Sequence, residues 1–300
     1  MSKWNLLKFA VIAGMCASLA LAQNAAPPTS LPAPTPKPKS EKERQAILAV
    51  QTATDPDTKL QKIDEVLTNF ADTEFKNLLL DMAVQAAEQK GDVALTLAWA
   101  QRDLDNNPRS YMALLVVANS LATSTREFDL DKADKLSKAE KDAKDALDVL
   151  KTAEKPTAAM TDDSWAAAKK QLSAEAWAVQ GVVESKRKNY DAAATDYKNA
   201  IDLFPNPNTE VRLADIYNKA GKYDEAIAEA DKALADPAIG AQVKTIATSV
   251  KNVATKMKAA GIKPSAPAST TASPAATAPA ASPAAPAGTT TAPQPVESKP

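Results

Sequence analysis

The chain has 300 residues, with 36 Lys and Arg against 37 Asp and Glu, no histidine and a single cysteine, Cys16. A net charge of −1 supplies no basic face for a nucleic-acid partner. The lack of histidine and the lone cysteine remove most nucleophiles, general bases and soft metal ligands at once, and the scattered glycines form no phosphate-cradling loop.

Residues 1–22 (MSKWNLLKFAVIAGMCASLALA) place Lys3 and Lys8 ahead of an apolar run from Phe9 to Leu21 and end on Ala20-Leu21-Ala22. That order reads as a secretory signal with a small-residue cleavage site, and the run is short for a membrane span. Retention as an N-terminal anchor is the alternative. Cys16 follows Met15, where an acylated cysteine would need a small residue before it, so a lipid anchor is not expected. Cleavage after Ala22 removes Cys16, Lys3 and Lys8, which leaves a cysteine-free chain of charge −3. Such a chain is held by burial alone. The expected location is outside the cytoplasm, periplasmic or extracellular.

Residues 23–39 are rich in Pro, Ala and Thr and read as a semi-rigid linker. Residues 262–300 share that composition. They hold too few large apolar residues to offset the entropy of ordering, so they read as a disordered tail, a stalk or a carrier of O-linked sugars.

Between these ends, residues 40–261 are dominated by Ala, Leu, Lys, Glu and Asp, with no period-2 strand pattern. Pro56, Pro108, Pro156, Pro205, Pro207 and Pro237 fall between apolar helical periods, and Gly91 and Gly221 fall at turns. The prediction is a string of helical hairpins. Residues 41–70 form a degenerate first hairpin. Residues 78–108 form a second, with the turn at Gly91-Asp92 and with Thr96 and Asp103 at positions where a small residue would pack better. Residues 111–122 open a third, with Ala118 as the small residue. Its partner, 129–156, carries one apolar stripe (Leu130, Ala133, Leu136, Ala143, Leu147, Leu150) among opposite charges. Asp129, Asp131 and Asp134 sit at its start. Without a turn glycine or a distal glutamate they read as a solvated helix start, not a calcium loop. A second long helix follows over roughly 163–187, capped by Asp162 or Asp163. It ends on the basic cluster Lys186-Arg187-Lys188, which suits either the helix dipole or an acidic partner.

The most informative segment is written twice. NYDAAATDYKNAIDLFP (189–205) returns as KYDEAIAEADKALADP (222–237). Tyr190 maps to Tyr223, Ala193 to Ala226, Ala200 to Ala233, and Pro205 and Pro237 close the two copies. Extended backwards, Trp177, Gly181, Tyr190, Ala193, Tyr197, Ala200 and Pro205 stand at successive intervals of 4, 9, 3, 4, 3 and 5 residues, and Leu213, Ala214, Tyr217, Gly221, Tyr223, Ala226, Ala233 and Pro237 repeat the scheme. Small residues let two helices approach, large ones fill the flanks, and each hairpin needs a neighbour to cover its apolar face. On this reading Gly181 faces Ala193 and Ala200.

This pattern resembles the tetratricopeptide repeat. The resemblance implies an all-α, right-handed solenoid of antiparallel helix pairs with disordered ends. The repeats run over 43–76, 77–110, 111–156, 174–206 and 207–237, with a capping helix at 238–260. It also implies that the first helix of each pair lines a concave face that takes a partner peptide or protein. Carried onto this chain, the partner-binding positions are Asp81, Gln85, Glu88, Asn119, Thr123, Glu175, Ala178, Val182, Ser185, Lys186, Asn208, Val211, Asp215, Asn218 and Lys219. That lining is mixed and polar, unlike a lysine-rich clamp for a C-terminal carboxylate. The expected function is non-enzymatic binding of another exported or envelope protein, with no cofactor or metal and with homo-oligomers possible. The alternative is an envelope scaffold whose tail engages the cell wall.

Overall fold

The computed structural model describes residues 36–156 and 160–262. The signal segment, most of the Pro-rich linker and all but the first residue of the tail lie outside the described residues. The chain divides into two units, Met1–Pro264 and Ser265–Pro300, and the second lies wholly outside them.

Among the described residues there are eleven α-helices and no strand: α1 Glu41–Thr52, α2 Pro56–Asn69, α3 Lys76–Lys90, α4 Val93–Asn106, α5 Tyr111–Ser124, α6 Lys132–Thr152, α7 Asp162–Lys186, α8 Tyr190–Leu203, α9 Pro207–Ala220, α10 Tyr223–Ala235 and α11 Ala241–Ala259. Each packs against its sequence neighbours. In addition, α3 touches α5, α5 touches α7, and α9 touches α11. The expected all-α array of adjacent helix pairs is what the chain forms.

The helix ends follow from local chemistry. The side chains of Ser40, Asp55, Asp92, Ser110, Thr161 and Asn206 each accept a hydrogen bond from a backbone N–H of the first turn, which satisfies a donor the helix itself cannot. Pro56 and Pro207 open α2 and α9, where the missing N–H costs nothing. Gly91 (φ 71°) and Gly221 (φ 74°) end α3 and α9 in the left-handed conformation. Thr161 caps α7, not Asp162 or Asp163. Both aspartates fall inside the first turn, where their charge suits the helix dipole.

The start of the domain is stitched down. Ser40 and Glu43 form a capping pair, and Glu43 is buried, accepting from the Lys39 N–H (2.5 Å) and from Thr73 Oγ1 (2.6 Å). Lys39 Nζ binds Asp72 (2.7 Å), and the Lys37 N–H binds Glu74 (2.9 Å). The last residues of the Pro-rich linker are therefore pinned to the α2–α3 turn.

Two apolar cores run into one another. The first joins α1–α5 with Ala146 of α6 and Ala176 of α7; the second joins parts of α5–α11. Helix α5 feeds both, with Ala113 to Val117 in the first and Ala118 and Ala122 in the second. The doubled segment packs as its small residues require: Ala193, Ala200, Ala226 and Ala233 are fully buried, as are Leu213 and Ala214, and Tyr217 is nearly so. Tyr190 and Tyr223 open α8 and α10 half-buried against the second core. Pro205 and Pro237 lie exposed just past the helix ends.

One packing detail differs from the expectation. Gly181 faces the ring of Tyr197, not Ala193 or Ala200. A Cβ at Gly181 would stand 2.9 Å from two ring carbons. The glycine makes room for a wedged aromatic ring, and Trp177, expected as the other filler, is only half-buried.

Candidate functional site

The positions assigned to partner binding all lie on α3, α5, α7 and α9. Contacts of α3 with α5 and of α5 with α7 set three of these helices side by side. Asn119, Thr123 and Glu88 are exposed; Gln85, Glu175, Ala178 and Ser185 are half-buried. On α9, Asn208 is exposed and Lys219 pairs with Asp215 one turn away (2.7 Å).

Five positions are taken up inside the fold. Val182 is only 8% exposed and sits in the second core, and Val211 is buried in the small core it shares with α10 and α11. Val182 belongs to five consecutive buried residues of α7, from Val179 to Val183. A helix enclosed by α5, α6 and α8 has no free face there, so a position that is outward in a regular repeat turns inward here. Asn218 Nδ2 donates to the carbonyl of Val250 (2.9 Å) and fastens α9 to α11.

Lys186 Nζ donates to the carbonyls of Thr125 (2.5 Å) and Thr123 (3.3 Å) at the C-terminal end of α5. Its neighbours in the basic cluster behave alike. Arg187 bridges Glu140 (2.6 Å) and Glu184 (2.8 Å), and Lys188 pairs with Glu127 (2.8 Å). Lys188 holds φ 66°, a conformation that costs a non-glycine residue about 1–2 kcal/mol. The cluster therefore ties α7 back to the α5–α6 hairpin. Replacing Lys186 with methionine keeps the apolar stem and removes both bonds to uncapped carbonyls. A stability loss of about 1–2 kcal/mol is expected, read by urea melts, with Lys186→Arg recovering part of it.

Asp81, the fifth of these positions, lies against Asp103 of α4. Asp103 is 1% exposed and accepts from the Ser110 hydroxyl (2.6 Å). Burial first, then the neighbouring carboxylate, pushes the Asp81 carboxyl up to about 8. Burial raises Asp103 as well, and the Ser110 and Asp81 hydrogen bonds hold it back. Both carboxyls are therefore raised, and the two titrate together. Tyr111, half-buried near this pair, has its phenol pushed up by burial and by Asp81. Thr96, the other polar residue at a position suited to alanine, donates to the Asp92 carbonyl (2.8 Å). Both departures are satisfied by hydrogen bonds.

At the start of α6, Asp129 and Asp131 are likewise paired within the chain, while Asp134 stays exposed. Lys135 Nζ lies 2.9 Å from Asp131 and 3.4 Å from Asp129, and Asp129 also accepts from the Arg126 N–H (3.0 Å). Glu127 sits between Lys132 and Lys188, whose hydrogen bonds and charge hold its carboxyl down at about 2. The loop is not legible in the sequence as a built element, because Lys186 and Lys188, which tie it to the end of α7, lie about sixty positions later. Among the described residues, no cluster of acidic or cysteine side chains forms a metal site, and no helix is long and apolar enough to cross a membrane.

A family model described as tetratricopeptide repeat matches residues 186–246, which spans α8, α9, α10 and the start of α11. No curated protein matches the chain. Among solved structures, the chain is similar to a thermophilic TPR protein of Thermus thermophilus, with 20% identity over 69% of this chain and 98% of that one, at a TM-score of 0.49. It is similar to MamA of Desulfovibrio magneticus at 18% identity, over 65% and 94% of the two chains, with a TM-score of 0.42. It is also similar to a tetratricopeptide repeat protein of Parabacteroides merdae at 14% identity, over 73% and 89%, with a TM-score of 0.41.

Proposed function

The chain carries tetratricopeptide repeats, and from that premise we propose that it is an exported, non-enzymatic module that binds another exported or envelope protein. The partner is taken as an extended peptide or a helix along the concave face formed by the first helices of the pairs. The observation that carries this reading is the contact of α3 with α5 and of α5 with α7. Side-by-side first helices turn single exposed residues such as Glu88, Asn119 and Thr123 into one strip that crosses several repeats, and a strip suits a long partner better than a small molecule. The polar, mixed-charge character of that strip favours a transient complex with a wet interface. Absence of histidine and, after cleavage, of cysteine supports a binding role over a catalytic one.

Cross-linking in intact cells followed by affinity capture tests the reading. The wild-type chain and a chain ending at Ile262 are expected to capture the same partner. Replacement of Asn119 and Thr123 by arginine is expected to lose it. Capture that survives the arginine substitutions but disappears with the tail would support the wall-bound scaffold instead. Export has its own test: the mature protein is expected to begin at Gln23 by N-terminal mass spectrometry, and an intact Met1 would contradict it.

A further inference from the structure

One chain of polar side chains crosses three helices at the α4–α5 joint. Asp81 of α3 is hydrogen-bonded to Asp103 in the last turn of α4. Asp103 accepts from the Ser110 hydroxyl, and the same Ser110 oxygen accepts from the Ala113 N–H (3.3 Å) as the cap of α5. The backbone closes tightly around it: the Asn107 N–H donates to the Asp103 carbonyl (2.7 Å) and the Ser110 N–H to the Asn107 carbonyl (3.0 Å). Asp103 and Ser110 are both buried. Two carboxyl groups in contact and out of water must keep a proton between them unless a cation neutralises one.

Among the described residues, the charges around the pair offer no such cation. Helix α5 has no charged residue. On α2, Asp57 pairs with Lys90, Lys62 with Glu65, and Asp64 with Arg102. The two carboxyls are acted on by burial, by Ser110 and by each other, and not by Lys59, Lys76, Asp105 or Arg109. Lys169 of α7 is engaged over the Trp165 ring (5.8 Å), which stands 6.1 Å from the ring of Tyr111. Tyr111, the titratable group of α5, feels Asp81, and its phenol stays neutral while carboxyls titrate.

We propose that the Asp81–Asp103–Ser110 chain is a proton-operated latch on the α4–α5 joint. While the carboxyls share a proton, the joint is closed. When that proton passes to solvent, the two carboxylates repel, and the last turn of α4 and the first turn of α5 come away from α3. Opening is confined to the joint, because Ala100 on α4 and Leu115 to Val117 on α5 hold both helices in the first core about a turn or more away. Acid closes the latch and alkali opens it, since a buried, uncompensated carboxyl keeps its proton at low pH. Helices α3 and α5 both carry the strip proposed above for a partner, so the latch puts that strip under pH control. That consequence rests on the binding reading; the latch does not.

Amide hydrogen exchange on the mature chain tests the latch with no partner present, each protection factor being corrected for the intrinsic exchange rate at that pH. Opening that releases one proton should lower the protection of the Asn107, Ala113 and Leu114 amides about tenfold per pH unit between about pH 5 and pH 8. Above about pH 8 the fall should level off, because the closed joint has then lost the proton too. Amides in the middle of α2 should stay at least about tenfold better protected than the joint throughout, and those of α8 should show no such slope. Asp81→Asn should remove the slope and keep the joint at pH 8 as protected as the wild type is near pH 5. Ser110→Ala cuts the chain in its middle. Ala113 and Leu114 should then lose protection and pH slope together, while Asn107, on the α4 side, keeps its slope. Joint amides that show no slope, joint and α2 amides equally protected at every pH, an Asp81→Asn slope equal to that of the wild type, or an undiminished slope at Ala113 in Ser110→Ala would each overturn the proposal.

Discussion

Replacing Gly181 with leucine is expected to lower stability by about 3 kcal/mol, and replacing it with alanine by about 1 kcal/mol. The sign is not obvious in advance, because alanine in mid-helix gains about 1 kcal/mol of propensity over glycine. Space decides it. The first side-chain carbon would stand 2.9 Å from the Tyr197 ring. That ring is 2% exposed and has no open direction in which to retreat, so either it leaves its rotamer or α8 moves away from α7. The close contact between these two helices would then loosen. A double-mutant cycle isolates the cause. Tyr197→Ala alone should cost about 3–5 kcal/mol through the cavity it leaves. In that background Gly181→Ala should turn neutral or stabilising, since nothing remains for the Cβ to strike. Additive urea-melt energies would show that the glycine is not there for the ring.

The second large effect is a dependence on pH. The folded state raises the Asp81 carboxyl to about 8, against about 3.9 for an unfolded aspartate. A group raised in this way stabilises the fold fully below its unfolded value and loses that contribution as pH rises through the folded one. Between about pH 4 and pH 8 the folded chain holds a proton that the unfolded chain has released, so stability should fall with a slope of up to about 1.4 kcal/mol per pH unit. Asp81→Asn removes one of the two titrating carboxyls and leaves an amide that donates at every pH. The variant should match the wild type near pH 4, exceed it by about 2 kcal/mol or more near pH 8, and flatten the slope between. Chemical denaturation at a series of pH values reads all three. Equal slopes in variant and wild type would mean that the two carboxyls do not share a proton.

The doubled segment is fully legible in the sequence. Ala193, Ala200, Ala226 and Ala233 are small where two helices must meet, and a repeat at a fixed interval is a long-range signal that a single sequence can carry. The hairpin turns at Gly91 and Gly221 are equally legible, since left-handed backbone at a helix end selects glycine. Pairings between distant elements are not. The sequence pairs Gly181 with two alanines by interval alone, yet the contact is made by the large Tyr197 between them. Lys186 reads locally as a helix-end cation, and only the fold brings Thr125, 61 positions earlier, to its ammonium group. Val182 fails as a surface position for a related reason. The 25-residue α7 replaces a regular first helix and is packed on several sides at once, which no periodicity within α7 announces.

Stacked two-helix units hide their apolar faces only against their neighbours. Native-state hydrogen exchange on the full chain and on a chain ending at Gly240, without α11, tests this most directly. The truncated chain is expected to lose amide protection in α9 and α10, whose apolar faces α11 covers, while α3 and α4 keep theirs. Unchanged protection in α9 and α10, or an equal loss through every helix, would contradict it.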